Sequence, residues 1–221
     1  MSVDNSQDLL QFTTCDVADA LRVLGQDGFL PDLQLYAPTG PETCVVGPVH
    51  TVQMARADDK EAPRTSEDYV DTAPSGSIIV ISVPEGVISA VWGGLRSARA
   101  KAIGVKAAVI DGRCRDVHES RQIGLPVFAR ATSCYGAGGF TRVSTIGQPL
   151  DIRTVPDQPP VHILPDDLIM ADINGVLRLR RAWIDDILDL CRRQSKIDEL
   201  CMRDLEAGHP IKETFARHRG K

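Results

Sequence analysis

Apolar residues at Val17, Ala20, Leu21 and Leu24 recur at the three- and four-residue spacing of a helix face, directly after Thr13-Thr14-Cys15-Asp16. Thr14 or Asp16 is placed to cap that helix, and Gly25 or Gly28 to end it. Pro31, Pro38 and Pro41 then mark a loop. The stretch from Cys44 to Ala55 is rich in β-branched residues and reads as a strand, with Gly47-Pro48 imposing a bend or bulge. Ser77 to Val83 is wholly apolar apart from its serines, the pattern of a strand buried on both faces. Helical periods over 93–103 and 116–122 then alternate with strand patterns over 106–110 and 126–131. Shorter strands are expected within 141–152, 161–163, 168–172 and 176–179, the last two joined by a tight turn through Asp172-Ile173-Asn174-Gly175. A long amphipathic helix follows from about Arg181 to Glu206 and ends at Gly208-His209-Pro210.

This alternation predicts an α/β fold with a mixed sheet and a long C-terminal helix. That helix carries more apolar surface than one small sheet face needs, so packing at a subunit interface is expected for it. A length of 221 residues fits one domain spanning 1–221.

Composition narrows the chemistry. Aromatic residues make up only 5%, too few for a base-stacking platform, and the net charge of −5 lacks the basic footprint of a nucleic-acid binder. The basic ending ARHRGK is short and reads as a solvated tail. Six cysteines lie scattered with no CxxC pair, as expected of reduced thiols in a cytoplasmic protein. No apolar run reaches membrane-spanning length, and the polar start MSVDNSQDLL does not read as a signal peptide, so no membrane partner is expected.

The segment from Trp92 to Asp116, WGGLRSARAKAIGVKAAVIDGRCRD, holds the strongest candidate site. A glycine pair, Gly93-Gly94, stands at a helix start, where unpaired backbone N–H groups attract an anion. Arg115-Asp116 follows a strand. Asp116 offers a hard oxygen to a cation such as Mg²⁺, and Arg115 a planar fork for a carboxylate or enolate oxygen. Arg96 and Arg99 share a helix face, usually a solvated one, from which Arg96 can reach a substrate. Asp111 reads as a turn former, His118 and Glu119 as solvent-exposed, and His50 as a core or interface histidine. Cys114 lacks a paired base and so reads as no nucleophile.

Taken together, DVADAL, VVGPVHTV, the WGG…GVKAAVIDGRCRD block, PVFAR, DINGVLRL and DELCMRDLEAG resemble the RraA-like family, and the WGGL opening resembles its fungal branch. The family includes 4-hydroxy-4-methyl-2-oxoglutarate aldolases, oxaloacetate decarboxylases and the RNase E activity regulator. The resemblance implies a swivelling β/β/α domain assembled as a homotrimer or a pair of trimers, with sites at subunit interfaces. It implies that Arg115 binds a 2-oxo acid and stabilises its enolate, that Asp116 ligates Mg²⁺ or Mn²⁺, and that amides around Gly93, Gly94, Leu95 and Arg96 hold the substrate carboxylate. Glu199 of an adjacent subunit would fix water on the metal.

One position departs from many relatives: Gly94, twenty-one residues before Arg115, stands where they carry an acid. Retro-aldol cleavage needs a base for the substrate hydroxyl, whereas decarboxylation needs only a later proton. The departure therefore ranks oxaloacetate decarboxylation ahead of aldol cleavage, with a non-catalytic regulatory protein as the alternative. Methyl transfer is disfavoured, because no GxGxG nucleotide loop is present.

Overall fold

The computed structural model describes residues 5–40, 42–155 and 158–220. Pro41 of the expected loop, the first four residues and Lys221 of the basic tail lie outside them. After a 3-10 turn at Asn5–Gln11, the chain runs through α1 (Thr14–Val23), β1 (Phe29–Leu30), β2 (Gln34–Ala37), β3 (Val45–Arg56), β4 (Ile78–Ser82), β5 (Ala90–Trp92), α2 (Gly94–Ala102), β6 (Ala107–Cys114) and α3 (Val117–Ile123). There follow β7 (Val127–Thr132), β8 (Thr141–Ile146), β9 (Leu150–Ile152), β10 (Val161–Ile163), β11 (Leu168–Asp172), β12 (Gly175–Leu179), α4 (Ile184–Glu206) and α5 (Ile211–Arg219).

Ten strands form one mixed sheet in the order β1-β12-β11-β3-β4-β6-β7-β2, with β5 added on β6 and β8 on β3. The pairs β3–β4, β4–β6 and β6–β7 are parallel. β11 and β8 both pair antiparallel to β3, at opposite ends of its twelve residues, so this strand joins a parallel half to an antiparallel half. All five residues of β4 are buried, as its unbroken apolar run requires of a strand covered on both faces. Ile79, Ile81, Ala108 and Ile110 face one core, shared with Trp92 and Tyr69; Ile78, Val80, Ala107 and Val109 face another, shared with β9–β11. A third core lies under α1 and α4, where Val17, Leu21, Ile187, Leu188 and Cys191 meet.

Several expectations are corrected. The cap of α1 is Thr13: Asp16 N–H donates to its hydroxyl and its own N–H donates to the Asp16 carboxylate at 2.8 Å, a capping box. β3 runs through Gly47-Pro48, which pair with β11, and its irregularity falls at Gln53/Met54. Within the proline-marked loop, Gln34–Ala37 forms an edge strand on β7. The 141–152 segment is two strands, separated around Gly147 at φ +71°. The expected turn at 172–175 is present, with Asn174 N–H donating to Asp172 at 2.7 Å. The basic C-terminus is not a frayed tail. It forms α5, where Arg217 and His218 bond Asp204 at 2.6 and 2.8 Å and Arg219 pairs with Asp198, both acids lying on α4.

Candidate active site

β5 leads into Gly93, the extended N-cap of α2, which has no side chain to satisfy the first amides of the helix. Ser97 N–H bonds back to the Gly93 carbonyl at 3.0 Å, so the amides of Gly94, Leu95 and Arg96 have no acceptor within the helix. β6 brings its end alongside: Arg115 N–H donates to Trp92 O at 2.9 Å. Asp116 then turns the chain into α3 at φ +55°, one of two non-glycine residues with positive φ among those described. This left-handed conformation costs about 1 kcal/mol, and Asp is among the residues that tolerate it best. It aims the carboxylate back at α2, where Asp116 Oδ2 accepts from Gly94 N–H at 3.2 Å and lies 3.4 Å from Arg115 Nε. The glycines leave room for both side chains. A Cβ on Gly93 would stand 2.6 Å from Asp116 Oδ2, and one on Gly136 would stand 3.0 Å from Arg115 Nη1.

α2 and α3 are locked together beneath the site. Trp92 Nε1–H donates to Ser97 Oγ at 2.8 Å, and Ser97 Oγ meets Ser120 Oγ, also at 2.8 Å. The resulting pocket holds about 650 Å³, within the range of small-molecule sites. Gly93, Gly94, Leu95, Arg96, Arg115 and Asp116 all line it, so six of the seven sequence candidates meet in one place. Glu199 does not: it is exposed on α4 and lines no part of this pocket within the chain.

Arg96 is already engaged. Its Nη1 bonds both oxygens of Asp68 at 3.0 and 3.2 Å, and its guanidinium lies 4.2 Å from the centre of the Tyr69 ring. Arg99 pairs likewise with Asp71 at 2.6 Å. Burial would raise the Asp68 carboxyl, but the Val70 amide and Arg96 outweigh it and hold it below the ordinary carboxylate range.

Two further sequence readings change. Glu119, although exposed, packs its carboxylate over Gly94: a Cβ on that glycine would collide with Glu119 Oε2 and lie 2.9 Å from its Cδ. The space that a side chain at position 94 would occupy is therefore filled by a carboxylate from α3. The pairing of a glycine with a glutamate three residues beyond Arg115-Asp116 was visible as spacing, but only the packing of α2 on α3 gives it meaning. Asp111 is no turn former. It lies inside β6 at 1% exposure, bonded by Arg130 and by Arg153 at 2.9 Å. His50 is the expected core histidine, within 3.1 Å of Tyr69 O. Burial pushes the Cys114 thiol up to about 11, which removes it as a nucleophile at neutral pH.

The donors suit a hard cation. Asp116 lines the pocket, Glu119 packs beside its Gly94, and Mg²⁺ is commonly held by one or two carboxylates, with water and substrate completing its shell. No cluster of three or more His, Cys, Asp or Glu side chains with metal-binding geometry occurs among the described residues.

The fold is thus a mixed α/β sheet with an uncapped helix start beside an Arg-Asp pair. Comparison places it more narrowly. The RraA-like model, described as Aldolase/RraA, matches residues 14–178, and the chain belongs to this family. It is 29% identical over 187 residues to a Halalkalibacterium halodurans protein named "Putative 4-hydroxy-4-methyl-2-oxoglutarate aldolase", covering 85% of this chain and 81% of the relative. Among solved structures it is similar to an uncharacterized protein from Pseudomonas syringae pv. tomato, with TM-score 0.80 and 26% identity over 95% of each chain. It also shares its fold with Streptomyces coelicolor RraAS2, an unusual member of the RNase ES inhibitor RraA family. That match has TM-score 0.76 and 19% identity, over 90% of this chain and 96% of the other. No described helix is long and apolar enough to cross a membrane.

Proposed function

We propose that this protein is a divalent-metal-dependent carbon–carbon lyase that cleaves 2-oxo acids through a pyruvate enolate. The observation that carries this reading is the convergence, in one pocket, of the uncapped α2 amides, the Arg115 guanidinium and the Asp116 carboxylate. The amides of Leu95 and Arg96 would bind the substrate's 1-carboxylate, as helix N-termini bind anions. Asp116, with Glu119 beside it, would hold Mg²⁺ or Mn²⁺. Such a cation, when bound, supplies Lewis-acid stabilisation of negative charge developing on the ketone oxygen. Arg115 would stabilise the same charge with its fixed N–H donors, and its own charge is only loosely matched by Asp116 at 3.4 Å.

Glu119 changes the balance between the two reactions. Decarboxylation of oxaloacetate was favoured because position 94 carries no acid. The Glu119 carboxylate stands at that place and would provide the base that aldol cleavage requires. Oxaloacetate and 4-hydroxy-4-methyl-2-oxoglutarate are therefore both proposed substrates, the latter in keeping with the name of the H. halodurans relative. Glu199 of the partner subunit would complete the site in a trimer or pair of trimers, with α4 at the interface.

The test is pyruvate release from each substrate by purified protein, with Mg²⁺ and then with excess EDTA, corrected for the metal's own background. Metal-dependent turnover lost in Arg115→Ala and Asp116→Ala supports the reading. Absence of turnover on these and other 2-oxo acids would sink it and leave a binding protein on the same fold.

A further inference from the structure

A further cavity, of about 350 Å³, is lined in part by Gly112 and Arg113 of β6 and shares no lining residue with the first. Arg113, Arg130 and Arg153 line it, together with Val87 and Ile88 from the segment that enters β5. Among the described residues Asp111, buried behind the arginines, pairs with Arg130 and Arg153, and no carboxylate pairs with Arg113. Asp32 stands 3.7 Å from Arg130 but is 70% exposed and outside the lining.

The three guanidinium groups differ in what they have left to give. Arg130 is spent on Asp111, the Pro31 carbonyl at 3.2 Å and the Arg153 carbonyl. Arg153 uses Nε and Nη2 on Asp111, and its Nη1 has no protein acceptor among the described residues. Arg113 bonds only the Thr132 carbonyl, through Nη1 at 2.9 Å, so its Nε and Nη2 have none. Unused planar donors and two aliphatic side chains thus line one cavity.

We propose that this cavity binds a small organic carboxylate. The head would lie on the Arg113 and Arg153 donors, and a short apolar stem would lie against Val87 and Ile88. Arginine forks match a carboxylate bidentately, and Asp111 already fills that role on the buried side of the same cluster. Arg113 lies two residues before Arg115 on the strand that leads into the first pocket, and β5 pairs with β6 at Arg113 and Cys114.

The experiment is isothermal titration of the intact protein with butyrate, alongside Arg113→Gln, Arg113→Lys and Arg115→Gln. Butyrate should bind the wild type and Arg115→Gln alike. Arg113→Gln should weaken it tenfold or more, and Arg113→Lys, which keeps the charge but loses the fork, should not restore it. Arg113 makes a single hydrogen bond, so these variants should melt within a few degrees of wild type. No binding to the wild type, or binding lost in Arg115→Gln and kept in Arg113→Gln, would overturn the assignment. Inorganic phosphate binding as tightly as butyrate would overturn the carboxylate specificity.

Discussion

Two aspartates five residues apart, both beside arginines, behave in opposite ways. Asp111 lies within β6 at 1% exposure, clamped by Arg130 and Arg153, and its oxygens are saturated with donors. Asp116 lies just beyond the same strand with its side chain 36% exposed, and has one amide and one long contact to Arg115. The first has nothing left to offer a ligand, and its removal strands two cations. The second holds a strained backbone and unused lone pairs at a pocket rim. The comparison teaches that an Arg-Asp pair left incompletely satisfied keeps donors and lone pairs free for a ligand, whereas a completed one serves the fold.

The largest effect that sharpens this contrast is expected at Asp116. Asp116→Asn keeps the left-handed turn but loses the charge, and pyruvate production should fall about 10²- to 10³-fold with little change in melting temperature. A drop in stability matching the loss of activity would erase the distinction. Asp111→Ala should do the reverse. Leaving Arg130 and Arg153 without their buried partner should cost about 3 to 5 kcal/mol, read as a lower urea midpoint. If Asp111→Ala unfolds with the wild-type midpoint, the clamp is not structural.

Gly94→Ala probes the partnership with Glu119. A methyl group there must displace the carboxylate, and aldol cleavage should fall about tenfold or more while oxaloacetate decarboxylation falls less. Equal losses on both substrates would remove Glu119 from the proposed base role.

The smallest effect is on stability against pH. Burial holds the thiols of Cys44, Cys114 and Cys191 up at about 11 from an ordinary value of 9.0. The folded state binds protons that the unfolded chain releases, so their contribution is intact below pH 9 and is lost as pH rises from 9 toward 11. Melting temperature should decline across that window, and less steeply in Cys114→Ala. A flat profile would mean that these thiols are open to solvent.

Local pattern carried much of this molecule. The period of Val17, Ala20 and Leu21, the unbroken apolar run of β4 and the face of α4 each follow from neighbours within a few residues, so helices and strands were legible there. β2 and β5 were missed because strands of four and three residues bury too few alternating positions to stand out, and exist through pairing with β7 and β6. α5 was hidden by its charges, which are answered by Asp198 and Asp204 of α4 rather than by water.

By itself, the sequence determined that the chain would be a mixed α/β protein, and it picked out Gly93, Gly94, Arg115 and Asp116, which line one pocket. Periodicity and motif spacing are properties of consecutive residues. Only the tertiary structure decided that Glu119 fills the place beside Gly94, that Asp111 is a buried clamp, and that Arg96 is shared with Asp68 and Tyr69. Those outcomes depend on which helix packs on which and on how deeply a strand is buried, and sheet order sets both across tens of residues.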